Sequence, residues 1–104
     1  MYCVAYKFAL LSPNSETRRQ FFEIWSAFTK YFRDECGALG SRLHMGEDGH
    51  FYAYAQWPSQ EVMQAADDIV PSAEFTKLRV KWAELCAPSE ILWQGEAIED
   101  LLVR

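Results

Sequence analysis

Apolar positions alternate from Tyr2 to Leu11. Tyr2, Val4, Tyr6, Phe8 and Leu10 fall on one side of an extended chain and Cys3, Ala5, Lys7 and Ala9 on the other, which predicts a first strand. Ser12-Pro13-Asn14 ends it. Asn14 or Ser15 then offers an N-cap oxygen, and Glu16 places a carboxylate in the first turn of a helix. From Glu16 to about Cys36 the period lengthens. Phe21, Ile24, Trp25, Phe28, Phe32 and Glu35/Cys36 recur every three or four residues, the buried stripe of one long helix, and Gly37 stands where a C-terminal glycine is expected.

Two β-rich runs, through His44 and from Phe51, flank Asp48-Gly49, a strong hairpin signal. Turn length decides which side chains share a face. With Met45 opposite His50 across a four-residue turn, Arg42, His44, Phe51, Ala53, Ala55 and Trp57 lie together, and Ser41, Leu43, Tyr52, Tyr54 and Gln56 lie opposite. A two-residue turn gives the same sorting and a three-residue turn reverses it. The four-residue register is the expectation.

Pro58-Ser59 opens a second helix, about Gln60 to Ile69, with Val62, Met63 and Ala66 inward. Pro71 breaks it and Ser72 can cap a third helix, with Phe75, Leu78, Trp82 and Leu85/Cys86 as its stripe and Lys77, Lys81 and Glu84 in water. Pro88 ends that helix. Glu90 to about Ala97 reads as a last strand, and Ile98 to Val103 as a tail, either a further strand or a partner-binding segment. The order βαββαβ predicts one α+β domain over residues 1–104, a ferredoxin-like subunit whose four-stranded antiparallel sheet carries helices on one face. The other face is expected to carry Tyr2, Val4, Tyr6, Phe8, Tyr52 and Tyr54. Such a patch calls for burial against a second copy, hence a homodimer joined through the sheet face.

Composition supports a packed domain: 50% hydrophobic and 15% aromatic residues, far from a disordered chain. The net charge of −5, with cations scattered among acids, argues against nucleic-acid binding. Cys3, Cys36 and Cys86 are odd in number and form no CxxC pair, so they read as reduced, buried residues of a cytoplasmic protein. No signal peptide or membrane span is expected.

Leu39-Gly40-Ser41-Arg42-Leu43-His44, Asp48-Gly49 and Tyr54-Ala55-Gln56-Trp57-Pro58-Ser59 together resemble the antibiotic biosynthesis monooxygenase-like family, within the dimeric α/β-barrel superfamily. The likeness of motif is concentrated in residues 39–59, while the element order agrees over nearly the whole chain. The resemblance implies two sheets facing across a two-fold axis and a pocket in each subunit between sheet and helices. It also implies an activity: cofactor-independent oxygenation of a quinol- or anthrone-like aromatic, with no cofactor and no metal. The haem-degrading branch of these proteins uses an Asn in the first strand and a His on a later helix. Neither is present here, although Trp57 is, and haem degradation is set aside.

His44 is the expected acid–base residue because its ordinary pKa of about 6.5 suits proton transfer near neutrality. Arg42, two residues away on the same face, would hold a phenolate by charge. Trp57, Trp25, Phe28, Trp82 and Phe51 are the candidate walls for a flat aromatic ligand. The competing reading makes His44 and Arg42 structural and the aromatic rings ordinary core. Its functional counterpart is a non-catalytic barrel that binds a small hydrophobic ligand or serves as a stress-linked dimer.

Overall fold

The computed structural model describes residues 1–103. Its elements run β1 (Tyr2–Phe8), α1 (Ser15–Cys36), β2 (Gly40–Met45), β3 (Phe51–Trp57), α2 (Gln60–Ala65), a single 3-10 turn (Ala66–Asp68), α3 (Ala73–Leu85) and β4 (Glu90–Glu96). The strands form one antiparallel sheet in the order β2-β3-β1-β4, the ferredoxin-like arrangement expected from the element order.

Each helix begins on a side-chain cap, and α1 also ends on a glycine. The Asn14 side chain accepts from the Thr17 N–H while the Thr17 hydroxyl accepts from the Asn14 N–H, a reciprocal cap. Ser59 and Ser72 cap α2 and α3 through their hydroxyls, accepting from Val62 and Phe75. Gly37 ends α1 at φ 81°, the left-handed region that L side chains resist.

Two expectations about side-chain direction are overturned. In the hairpin, Met45 pairs with Phe51, His44 with Tyr52, Leu43 with Ala53 and Arg42 with Tyr54. The Gly46 N–H donates to His50 O and the Gly49 N–H to Gly46 O, so Glu47, Asp48 and Gly49 form a three-residue turn closed by Gly49 at φ 84°. The sorting is therefore the reverse of the four-residue reading. Arg42, His44, Tyr52, Tyr54 and Gln56 share one face, and Ser41, Leu43, Phe51, Ala53, Ala55 and Trp57 the other.

The second correction concerns β1. Tyr2, Val4, Tyr6 and Phe8 pair with Trp57, Ala55, Ala53 and Phe51, which puts them beneath the helices and not on the uncovered face. The physical cause is burial: the wholly apolar side of this central strand goes where two helices exclude water, and Val4 is 0% exposed there. The uncovered face instead carries Cys3, Ala5 and Lys7 of β1 with Tyr52, Tyr54 and Gln56, flanked by Arg42 and His44 on β2 and Trp93 on β4. This surface is mixed, and its apolar centre is Cys3, Tyr54 and Trp93. Cys3 Sγ lies 2.9 Å from Tyr54 Oη, and the Tyr54 and Trp93 rings are 6.3 Å apart. Beyond it, Ile98, Leu101, Leu102 and Val103 stand in solvent.

Candidate functional site

The core beneath the helices is divided. One cluster gathers Tyr2, Val4, Cys36, Ala38 and Trp57 at one end of the sheet, the other Phe8, Phe21, Phe51, Ala53 and Cys86 at the opposite end, and Tyr6 packs against both. Where they meet, β3 presents only the methyl groups of Ala53 and Ala55. Two methyl groups cannot fill the layer between sheet and helices, and a cavity of about 660 Å³ remains. That volume lies within the range of small-molecule sites, roughly 300–1,000 Å³.

Its wall is aromatic. Tyr6 and Phe8 rise from β1, Trp25, Phe28, Tyr31 and Phe32 descend from α1, Trp57 closes β3, and Phe75 and Trp82 come from α3. The rings brace one another. Tyr31 stacks on Phe75 at 4.0 Å, Phe28 lies 5.0 Å from Phe75 and 5.3 Å from Trp82, and Trp82 meets Phe8 edge-on at 5.1 Å. A wall locked in this way is preformed, so a flat ligand would enter without paying to order it.

Polar groups in the lining are few: Thr29, Ser41 and Ser89, the phenols of Tyr6 and Tyr31, and Asp67 and Arg79, which are exposed at its edge. The Thr29 hydroxyl donates to Trp25 O at 2.9 Å and is engaged within its own helix. Burial, and secondarily the nearby charge of Asp67, pushes the Tyr6 phenol above its ordinary value, so it is a neutral donor at physiological pH. Tyr31 is raised as well, with desolvation the largest cause.

The structure separates the residues that the sequence grouped. Trp25, Phe28, Trp57 and Trp82 stand in the cavity wall. Phe51 does not reach it; it is buried behind the wall and stacks on Phe21 at 4.6 Å. His44 and Arg42 are on the uncovered face, exposed, and outside the cavity. Conversely, Tyr6, Tyr31, Asp67 and Arg79 are titratable groups of the cavity lining, and the sequence pattern did not single them out as site residues. Tyr6 was recoverable, because a tyrosine alternating with Val4 and Phe8 belongs with them beneath the helices. Asp67 and Arg79 carry no such signal: a carboxylate at a helix end and an arginine amid lysines look like solvated surface.

The arrangement defines a ferredoxin-like α+β subunit with an aromatic-walled pocket between sheet and helices. Its fold is that of several solved proteins, some of them named antibiotic biosynthesis monooxygenases. SnoaB, a cofactor-independent oxygenase from Streptomyces nogalater, superposes with a TM-score of 0.73 at 15% identity over 96% of this chain and 95% of that one. A candidate antibiotic biosynthesis monooxygenase from Deinococcus radiodurans gives 0.70 at 17% identity over 100% and 99%. Rv0793 from Mycobacterium tuberculosis gives 0.68 at 16% identity over 97% and 98%. No family model matches the chain, and no curated protein matches it significantly in sequence. At these identities the likeness establishes the fold, and function has to be argued from the cavity.

Proposed function

We propose that the cavity binds a flat, electron-rich aromatic molecule of the quinol or anthrone kind and oxygenates it without a cofactor. The observation that carries this reading is a half-open space of about 660 Å³ between sheet and helices, lined by nine aromatic rings and only a few polar groups. The shared fold with a cofactor-independent oxygenase supports it. In this chemistry the substrate supplies the electrons. Loss of a proton gives an aromatic anion, which passes an electron to O2; the radical pair joins as a C–O bond, and the hydroperoxide loses water. For an anthrone, a ring CH2 and O2 thus become C=O and H2O.

The protein's tasks are to take the proton, stabilise the anion and exclude water. Asp67 is the carboxylate in the wall and the assigned proton acceptor. Tyr6, held as a neutral phenol, donates a hydrogen bond to the developing oxyanion, and the Arg79 guanidinium balances charge. His44 and Arg42 leave the catalytic centre because they sit across the sheet from it.

The subunit is proposed to work as a homodimer. Trp93 is 54% exposed, beside Tyr54 on the uncovered face, an apolar centre flanked by the polar Lys7 and His44.

The test is O2 consumption with a panel of anthrones and quinols. Turnover that falls in Tyr6→Phe and Asp67→Asn but not in His44→Ala is expected. A panel that shows no O2 uptake yet still quenches the cavity tryptophans would instead establish a ligand-binding protein. That second reading has its own support, since no His, Lys or Cys lines the cavity among the described residues.

A further inference from the structure

An open polar cleft lies beside the aromatic cavity. It measures about 300 Å³ and is lined by Thr29, Arg33, Leu39, Gly40, Ser41, Arg42, Tyr54 and Gln56. Thr29, Gly40 and Ser41 line both spaces, so the two adjoin between α1 and β2. Because β2 is the outer strand of the sheet, a cleft along it reaches residues of both faces: Ser41 on the helix side and Arg42 on the uncovered side.

The charge of this cleft runs against that of the molecule. The chain holds 15 acidic residues and 10 lysines and arginines, yet two arginines and no Asp or Glu line the cleft. Arg42 has no ion-pair partner among the described residues. Arg33 meets Asp34 only through Nε, at 3.3 Å, which leaves its terminal nitrogens for another acceptor. Two guanidiniums near one spot repel each other unless an anion lies between them, and a planar fork suits a carboxylate in particular.

We propose that the ligand of the aromatic cavity carries a carboxylate, which leaves the cavity past Thr29 and Ser41 and is held by Arg42 and Arg33. The inference rests on the cavity being a ligand site, as proposed above, and adds the chemical class of what enters it. The aromatic body supplies buried area; the arginines set orientation and select acids over neutral analogues. A site built on two arginines discriminates more sharply than one built on rings alone, since each charge-assisted bond outweighs a neutral one roughly twofold.

The experiment titrates the intact protein with anthraquinone-2-carboxylate and with the corresponding carboxamide, reading quenching of tryptophan fluorescence; Trp25, Trp57 and Trp82 all line the cavity. The acid is expected to bind at least about tenfold more tightly than the amide at low salt. Arg42→Gln is expected to cut that ratio to about threefold or less, and Arg33→Gln to lower it in part. If acid and amide bind equally, the cavity reading stands and the anion site is overturned. If neither quenches, the cavity reading fails and takes this inference with it. A ratio unchanged in both variants assigns the preference to Arg79 and overturns it too. An unchanged ratio in an Arg42→Gln protein that no longer dimerises would place Arg42 in a subunit contact instead.

Discussion

His44 stands directly opposite Tyr52 in the β2–β3 ladder, on the face of the sheet that the helices leave open. The whole sheet therefore lies between this imidazole and the ring of Trp57, which packs 6.1 Å from Phe32 in the cavity wall. His44→Ala should leave quenching by a bound anthraquinone unchanged within about twofold, well below the tenfold that 1.4 kcal/mol represents. A loss of tenfold or more would mean that the two faces communicate and would reopen His44 as a site residue.

The cavity exists because β3 places alanines on its floor. Ala55→Leu should fill part of it, abolishing ligand quenching while leaving thermal stability equal or higher, since the added methylenes enter existing space. Phe21→Ala is the contrasting change. Phe21 is 0% exposed between Phe8, Phe51 and Trp82, and its loss should cost about 3–5 kcal/mol in urea unfolding. An Ala55→Leu protein that still binds would show that the ligand sits elsewhere.

Gly49 closes the hairpin at φ 84°, and an added Cβ there would meet nothing within 4 Å. The cost of Gly49→Ala is thus backbone strain alone, about 1–2 kcal/mol. Gly49→Asn should recover part of it, because Asn tolerates the left-handed region. Equal stability of all three proteins would remove the three-residue turn as the determinant of register.

Asp48 in the same turn accepts from the Tyr52 hydroxyl and from the His50 N–H, and these bonds hold its carboxyl below its ordinary value. A lowered folded-state pKa gives stability that is present above the unfolded value near 3.8 and is lost as pH falls through the folded one. Tyr52 is raised, chiefly by the same bond, so its share is present below pH 10 and is lost as pH rises through the folded value. Asp48→Asn should flatten the fall in stability on the acid side of that unfolded value. An unchanged acid limb would show the bond to be absent in solution.

Trp93→Ser is expected to convert the proposed dimer to a monomer in sedimentation at micromolar concentration, since the exposed indole and Tyr54 form the apolar centre of the uncovered face. A wild-type protein that sediments as a single subunit would remove the dimer outright.

The element order and most element ends were legible along the chain. Proline, glycine and capping side chains act within a few residues, so Asn14, Gly37, Ser59 and Ser72 mark boundaries that the structure places at the same points. Four of the five candidate wall residues were legible too, because helical period alone aims Trp25, Phe28 and Trp82 inward. The face of β2 was not. One residue more or less in the turn flips every side chain of that strand, and local sequence favoured two turn lengths that agree with each other and not with the structure.

Spacing and capping are properties of neighbours along the chain, so the amphipathic segments and their order were set locally. Which face of each strand meets the helices emerged only on folding, and with it the removal of His44 from the cavity and the entry of Tyr6, Asp67 and Arg79. Burial is a collective quantity. The sheet turns toward the helices whichever face loses the most apolar surface to them, and no single strand contains that comparison.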